Sequence, residues 1–593
     1  MPASDPLLHS GAGIFAAILL LTLIASALTL VTSWILMHVY KRAVGRLMSK
    51  KISTGPDLSD IDTTAKDSAP PVMPSTFPEP PETTASLTKP SHTDQCYQRL
   101  RVDPWRCTAR YAIAGCFFAL VMAGSGFIAF SQPQINPLPS ASHPYQFLVL
   151  FWTFAWPVVM TANIIAATSW RARGMILILY FAGLAAFGAL LALSPIEPPA
   201  RWGNLPYPGW SSESPLRISA RWMAFNMAPT LLLIAFHNHR VRAVAPLVLA
   251  FMTVLSGGLL GTWAMAYLYL DQSLAAMDFF STTFGLSAKE AILVYFLLLG
   301  IFTCILFGIP GWRLLVRIRR GYQRKKFSDQ SLAVDAVWML FAAFYAMLLT
   351  IAGPGWVLSG IAAFIIYKIA LRVANTLSAL KPGLDQSGPV LLVLRVFSLG
   401  KRSEVLFDAV SRHWRYLGNV QLIAGTDLAA STLTPHQFLD FLSGRLGRSF
   451  IGDEQAVDRG LQKLDCHPDA DGRFRINDFF CHADTWQSVL SRLISRTNVV
   501  LMDLRNFTKD NAGCIFELET LLDKVPLRRL VLVVDATTDN NFLDQVLQDS
   551  CRNIRTGSPN AGISASAVQP LTLTALKSSQ LEKLLQRLCA AVR

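Results

Sequence analysis

The stretch Asp503, Leu504, Arg505, Asn506, Phe507, Thr508, then Asn511, Ala512, Gly513, Cys514, Ile515, Phe516, Glu517 and Leu518 gathers a carboxylate, a thiol, a guanidinium and an amide. Glu517 is the candidate catalytic group there, with Arg505, Asn511 and Cys514 as candidate ligand contacts. A second stretch, Phe397, Ser398, Leu399, Gly400, Lys401 and Arg402, runs into a helical pattern. Backbone amides at a helix start, with a basic pair beside them, can hold a phosphate. The stretch lacks a Walker or dinucleotide glycine pattern, so an ordinary helix start is an equal reading. Phe397, Ser398, Lys401, Arg402 and Asp427 complete the candidate ligand-binding set. Glu517 also has a bland reading: together with Glu519 it is the solvent face of an amphipathic helix whose Ile515, Leu518, Leu521 and Leu522 pack inward.

Cys466-His467 and Cys481-His482 carry zinc-type donors, but adjacent pairs do not match the separated spacing of zinc sites. Asp469, Asp471 and Gly472 match part of a calcium loop. His467 then falls on the first ligand position and Asp478, where Glu is required, on the twelfth. A turn leading into Arg473 to Ile476 is the better reading. No metal and no resident cofactor is expected, and no nucleophile triad is identifiable from spacing.

These groups need a scaffold, and residues 389 to 593 supply the pattern of one. Short β-rich runs, Val390 to Val396, Val420 to Ala424, Asn498 to Leu504, Leu530 to Asp535 and a weaker one near Ala567 to Leu573, alternate with amphipathic stretches at 402–417, 435–447, 484–496, 513–524, 541–553 and 577–592. Parallel strands joined by crossover helices have this signature. The expectation is a doubly wound, flavodoxin-like sheet of five parallel strands. Ligands bind such sheets outside the carboxyl ends of the strands. That rule selects Phe397 to Arg402, Gly425 to Asp427, Arg505 to Gly513 and Asp535 to Asp539.

Cys514, Glu517 and Leu518, on a helix after a strand and a polar loop, resemble the Trp-Cys-x-x-Glu-Leu element of Toll/interleukin-1 receptor (TIR) domains. Strand order and domain size are similar as well. The resemblance implies that Glu517 is the carboxylate that, in NAD-cleaving members, holds the nicotinamide ribose hydroxyls while the glycosidic bond breaks. An oxocarbenium-like transition state of that kind is stabilised by a nearby carboxylate. Gly513 stands where the family has Trp, the first strand ends Arg395, Val396, Phe397, Ser398 without an acidic-aromatic start, and residues 428 to 483 read as an insertion.

The rest of the chain belongs to another solvent. Of 593 residues, 52% are hydrophobic and only 16% charged, and the mean hydropathy of +0.38 is too high for a soluble protein of this size. A bilayer core of roughly 30 Å takes about 20 apolar helical residues. Runs near 13–39, 111–131, 146–168, 175–194, 222–238, 244–270, 290–312, 332–351 and 356–377 fit, giving an α-helical transmembrane bundle of about nine spans. Lys41, Arg42, Arg46, Lys50, Lys51, Arg99, Arg101, Arg106, Arg110, Arg171, Arg173, Arg240, Arg242 and the run from Arg313 to Lys326 all fall on one side. The positive-inside rule makes that side the cytosol and the N-terminus external. The net charge of +14 therefore reports topology, and nucleic acid is not an expected partner. None of the nine cysteines falls in an external loop, so structural disulfides are not expected.

Four segments follow: an anchor helix (1–51), a disordered Pro/Ser/Thr-rich linker (52–97) that isolates it, an eight-helix bundle (98–380) and the α/β domain (381–593). Asp335, Lys289, Glu290, His237 and Lys368 lie near span ends, where they can snorkel. Gly257, Gly258 and Gly261 read as helix packing, and Gly353, Pro354 and Gly355 as a tight turn. Trp202, Tyr207 and Trp210 read as an interfacial belt.

The functional expectation is a cell-membrane (inner or plasma membrane) signalling or defence protein whose TIR-like domain binds NAD or a related nucleotide, with NAD cleavage at Glu517, and self-associates. The alternatives are a non-enzymatic sensing domain that controls the bundle, and a transporter or channel with a regulatory domain. Missing intramembrane charge and missing repeats count against the last.

Overall fold

A computed structural model describes residues 11–49, 92–131, 144–166, 170–192, 201–202, 205–206, 215–238, 241, 243–377, 388–396, 401–425, 428, 432–462, 464–482, 485–574 and 576–592. Phe397, Ser398, Asp427, Tyr207 and Trp210 lie outside them, as do residues 52–91 of the expected linker.

The bundle is built from α1 (Gly11–Met48), α2 (His92–Phe130), α3 (Pro144–Phe154), α4 (Trp156–Ile165), α5 (Trp170–Ala192), α6 (Pro215–Phe236), α7 (Ala245–Leu268), α8 (Leu270–Phe284), α9 (Ala288–Gln323), α10 (Asp329–Leu349) and α11 (Val357–Leu377). Seven stretches, in α1, α2, α3–α4, α5, α9, α10 and α11, are long and apolar enough to cross a bilayer. Shorter apolar helices, Trp222–Phe236 and Ala245–Leu259, occupy the other two expected positions. The run at 146–168 is broken at Ala155 just before Pro157, and α8 is a helix that the hydropathy pattern had not separated.

Close packing needs small residues where large ones intrude. Trp338 of α10 is fully buried, stacks on Tyr367 of α11 with centroids 4.8 Å apart and meets Phe118 of α2 edge-on at 5.0 Å. Gly115 lies beneath it, where a Cβ would come within 2.5 Å of the indole. Gly258 packs against Phe307 in the same way, whereas Gly257 and Gly261 have nothing within 4 Å. Gly353, at φ 135°, separates two single-turn 3-10 segments and makes the tight turn expected there. Asp335 and Lys368 do not reach separately for the membrane surface: they pair at 2.5 Å between α10 and α11. Glu290 instead closes a capping box with Ser287 at the start of α9.

The C-terminal sheet has seven parallel strands rather than five: β1 (Leu391–Arg395), β2 (Val420–Ala424), β3 (Phe450–Ile451), β4 (Ile476–Cys481), β5 (Val499–Asp503), β6 (Leu530–Val534) and β7 (Leu571–Thr572), in the order β3-β4-β2-β1-β5-β6-β7. Removing β3 and β4 leaves the flavodoxin-like order, and both extra strands arise from the inserted 428–483. The central strands are buried along their length, as expected of apolar runs covered on both faces. Leu391 and Val393 face α12 (Lys401–Trp414) and the C-terminal helix, while Leu392, Leu394 and Val396 face the opposite layer. In chain order the remaining helices are α13 (Pro435–Leu442), α14 (Glu454–Gln462), α15 (Trp486–Ile494), α16 (Ala512–Lys524), α17 (Asn540–Arg552) and α18 (Ser578–Ala591). Helix α14 was not anticipated.

Two expectations about the membrane-proximal segments are corrected. Residues 92–97 are the first turns of α2, so the linker ends earlier than 97. The first helix is not isolated either. Its end carries Met37, Tyr40 and Val44 into one buried cluster with Val248 of α7, Leu315 of α9 and Phe438, Phe450 and Phe480 of the insertion. A helix longer than the bilayer must cover its protruding apolar residues, and α13 does so.

The domain is tied down by buried polar contacts. Helix α9, with 36 residues rising about 1.5 Å each, outruns a bilayer core of roughly 30 Å. At its end the Arg475 guanidinium lies 3.8 Å from the centre of the Tyr322 ring. Arg475 also donates to Tyr322 O at 2.5 Å and to Asp469 at 2.7 Å. The turn 469–472 forms as expected, with Gly472 at φ 84°. Ser328, capping α10, donates to Asp471. Arg415 grips Asp329 with two bonds of 2.6 and 2.7 Å.

Two substitutions test this architecture. At Gly360 a Cβ would sit 2.5 Å from Ala342 O and 2.7 Å from Ala346 Cβ, so Gly360→Val should lower stability by about 2 kcal/mol or more. Gly124→Ala, with nothing within 4 Å, should be silent in the same thermal-unfolding assay. Asp329→Asn leaves buried Arg415 without its counter-charge, a change worth roughly 3 kcal/mol. The expected readout is faster proteolytic release of the α/β domain; unchanged release would remove the pair from the docking contact.

Candidate functional site

The side on which strands are added reverses between β1 and β5: β2 to β4 build outward on one side of β1, and β5 to β7 on the other. The carboxyl ends of these two strands form the switch point where such sheets take ligands. Arg395 and Asp503 are register partners there.

Around them lie two groups of side chains. In the first, Arg505 makes two bonds of 2.7 Å to Asp503 and a third, of 3.1 Å, to the carbonyl of Arg402. Arg402, on the first turn of α12, pairs with Asp535 and donates to Thr537 Oγ1 at 3.3 Å. Burial acts against the Asp535 charge, but hydrogen bonds from Thr537 and the nearby Arg402 hold its carboxyl below the usual range. Two of the three expected basic groups, Arg402 and Arg505, are thus brought together, each already bound to a carboxylate. A phosphate here competes with Asp503 and Asp535. Asn506, at φ 60°, holds the loop after β5 in the left-handed region, an uncommon backbone state for a residue other than glycine.

The second group belongs to α16. Cys514, Glu517, Leu518 and Leu521 form its buried face, and Glu519 is the exposed one, so the solvent-face reading of Glu517 is overturned. The helical pattern alone assigned both acids to water. Glu517 is 3% exposed, and its Oε2 has no hydrogen-bond partner among the described residues. Burial pushes its carboxyl up to about 8, against the pull of the Arg395 charge. The Cys514 Sγ lies 3.8 Å from Arg395 O, and burial first, then Glu517, raises its thiol to about 12. A thiol so placed is a packing group with a weak donor.

Of the other expected contacts, Lys401 is exposed at the start of α12. Asn511 accepts from Thr508 N at 2.9 Å and closes the loop before α16, a structural duty. Phe397, Ser398 and Asp427 fall outside the described residues. Three groups were not among the chosen site residues: Arg395, Asp503 and Asp535. Each is a charged residue at or just after the end of an apolar strand, and that position was their available signal. Ser403, 2% exposed with an unpartnered Oγ among the described residues, lines a small cavity with Arg395, Leu406 and Asp503.

Among the described residues no three His, Cys, Asp or Glu side chains gather as a metal site. The two Cys-His pairs border the docking contacts: His482 Nδ1 lies 2.8 Å from Leu47 O, and Lys325 Nζ donates to His467 O at 2.7 Å. Compared with family profiles, curated proteins and solved structures, the chain matches none.

Glu517 sets a pH dependence with a definite sign. Its native carboxyl keeps a proton up to about pH 8, whereas an unperturbed one releases it near 4.5. Its contribution to stability is therefore complete below pH 4.5 and is lost as pH rises toward 8. Glu517→Gln should flatten that slope and stabilise the protein at pH 7 by on the order of 2 kcal/mol. Thermal unfolding of the detergent-solubilised protein across pH 5 to 8 (about the range in which the two protonation states differ) reads it, and identical slopes would sink the assignment.

Proposed function

We propose that this chain is a multi-pass cell-membrane signalling or defence protein of about nine spans, with its N-terminus outside. In this reading its cytosolic TIR-like domain binds NAD or a related nucleotide at the β1/β5 switch point and cleaves NAD through Glu517. The observation that carries the reading is the Glu517 carboxyl itself: buried, without a partner for Oε2 among the described residues, beside Arg395 at that switch point. Titratable groups displaced this far by burial concentrate at functional sites. The nicotinamide ring of NAD is cationic. A positive charge set beside a buried, protonated carboxyl draws the proton off, and the carboxylate so formed stabilises the developing oxocarbenium charge. Arg402 and Arg505 contribute phosphate contacts by exchanging their carboxylate partners for the diphosphate.

A second reading is supported by those same pairs. Arg505 with Asp503 and Arg402 with Asp535 are fully neutralised in the unliganded protein, which suits a non-enzymatic module that senses or assembles and relays to the bundle through the Arg415 and Arg475 contacts. NAD consumption by the full-length protein in proteoliposomes separates the two. The first reading expects turnover that falls at least about a hundredfold in both Glu517→Ala and Glu517→Gln; no turnover by the folded, self-associated wild type transfers the function to the second.

A further inference from the structure

The last helix of the α/β domain meets the base of α2 at a place that neither reading uses. Cys96 and Leu100 of α2 form one buried cluster with Leu585 and Cys589 of α18, and Tyr97 is hydrogen bonded to Gln586 beside it. Residues 96 and 100, like 585 and 589, are one helical turn apart, so each helix offers a single stripe to the other. The two thiols sit together in that cluster, each close enough to act on the other's proton. Both are reduced. Arg99 lies one turn along α2 from Cys96, and a neighbouring guanidinium favours the thiolate form of a cysteine.

We propose that Cys96 and Cys589 are a reversible disulfide site that staples the last helix of the α/β domain to the base of α2. The oxidant class is a hydroperoxide. The Cys96 thiolate attacks the peroxide oxygen, and the expelled hydroxide takes up the proton that the thiol lost. The Cys589 sulfur then displaces water from the sulfenic acid. Two thiols and one hydrogen peroxide become one disulfide and two waters. Exchange with two equivalents of a small thiol restores the starting pair. Because the partners are far apart in the sequence, at positions 96 and 589, the bond closes bundle and domain into one covalent loop, which restricts the unfolded chain strongly. It also holds the domain docked, whatever ligand the switch point takes. Cys589 is fully buried and Cys96 nearly so, so access comes through local opening of the first turns of α2 or the last turn of α18.

The test uses the full-length protein in mild detergent, exposed to hydrogen peroxide, quenched with N-ethylmaleimide and digested with trypsin. Cleavage after Arg99 and after Arg587 puts the two cysteines in separate peptides. The expected product is the Cys96–Cys589 linked peptide, abolished by dithiothreitol, together with a thermal midpoint that rises on oxidation in wild type and stays fixed in Cys96→Ser. Recovery of both peptides only as separate maleimide adducts, under conditions that oxidise the partly exposed Cys551 of α17, would overturn the proposal. So would a linked peptide that forms equally in protein unfolded before oxidation. The wild-type peptide map decides without any variant, and NAD turnover has no bearing on it.

Discussion

The placement of the α/β domain rests on two arginines buried where it meets the bundle. Arg475 is held between Asp469 and the face of Tyr322, and Arg415 between Asp329 and the carbonyl of Phe474. A guanidinium taken out of water is tolerable only with its charge matched and its donors satisfied, and its planar fork allows few geometries that do both. The contact is therefore specific in a way that an apolar patch is not. The neighbouring cluster of Tyr40, Val44, Leu315 and Phe438 supplies area, and the arginines supply register.

The direction of the sheet then decides what faces the bundle. Arg415 and Phe474 precede β2 and β4, so the contacts with α9 and α10 come from the amino-terminal side of the strands. All seven strands are parallel, which puts Arg395, Asp503 and Asp535 at the opposite end. Helix α18 runs against the strands, and its last turn accordingly returns to the bundle side, where Cys589 meets Cys96. The two arginine contacts and the β1/β5 switch point thus lie at opposite ends of the sheet, while the apolar contacts with α1 and α9 also reach Ala424, Phe480 and His482 at the carboxyl ends of β2 and β4.

The parts of this arrangement written in long uniform runs were legible in the sequence. Four strands with four or more apolar residues and the long apolar helices announce themselves by composition. Strand β3, two residues long, carries no periodic signal, and β4 opens on Ile476, Asn477 and Asp478, whose polarity hides it. Asp478 is half of a contact, bonded by Gln437 of α13. Its meaning lies in a neighbour forty-one residues away. The same holds for Asp469 and Asp471, which as sequence resemble a failed calcium loop and as structure hold Arg475 against Tyr322 of α9 and accept from Ser328 at the start of α10. Pattern reading assigns a charged residue to water unless it can see the partner, and the solvent-face alternative for Glu517 failed for that reason.

Glu517 differs from those acids in one respect that matters for function. Asp329 and Asp503 lie against arginines that answer their charge, and Asp478, whose Oδ2 also lacks a partner among the described residues, keeps a bond from Gln437, whereas Glu517 has only the field of Arg395 and no bond to Oε2 among the described residues. A carboxyl in that state opposes stability wherever the solvent would ionise it, and an apolar residue of similar size would remove the penalty. Packing gives no reason for a glutamate on a face otherwise made of Cys514, Leu518 and Leu521. In the proposed reading the reason is a substrate that develops positive charge in its transition state, which gains most from a carboxylate held in reserve.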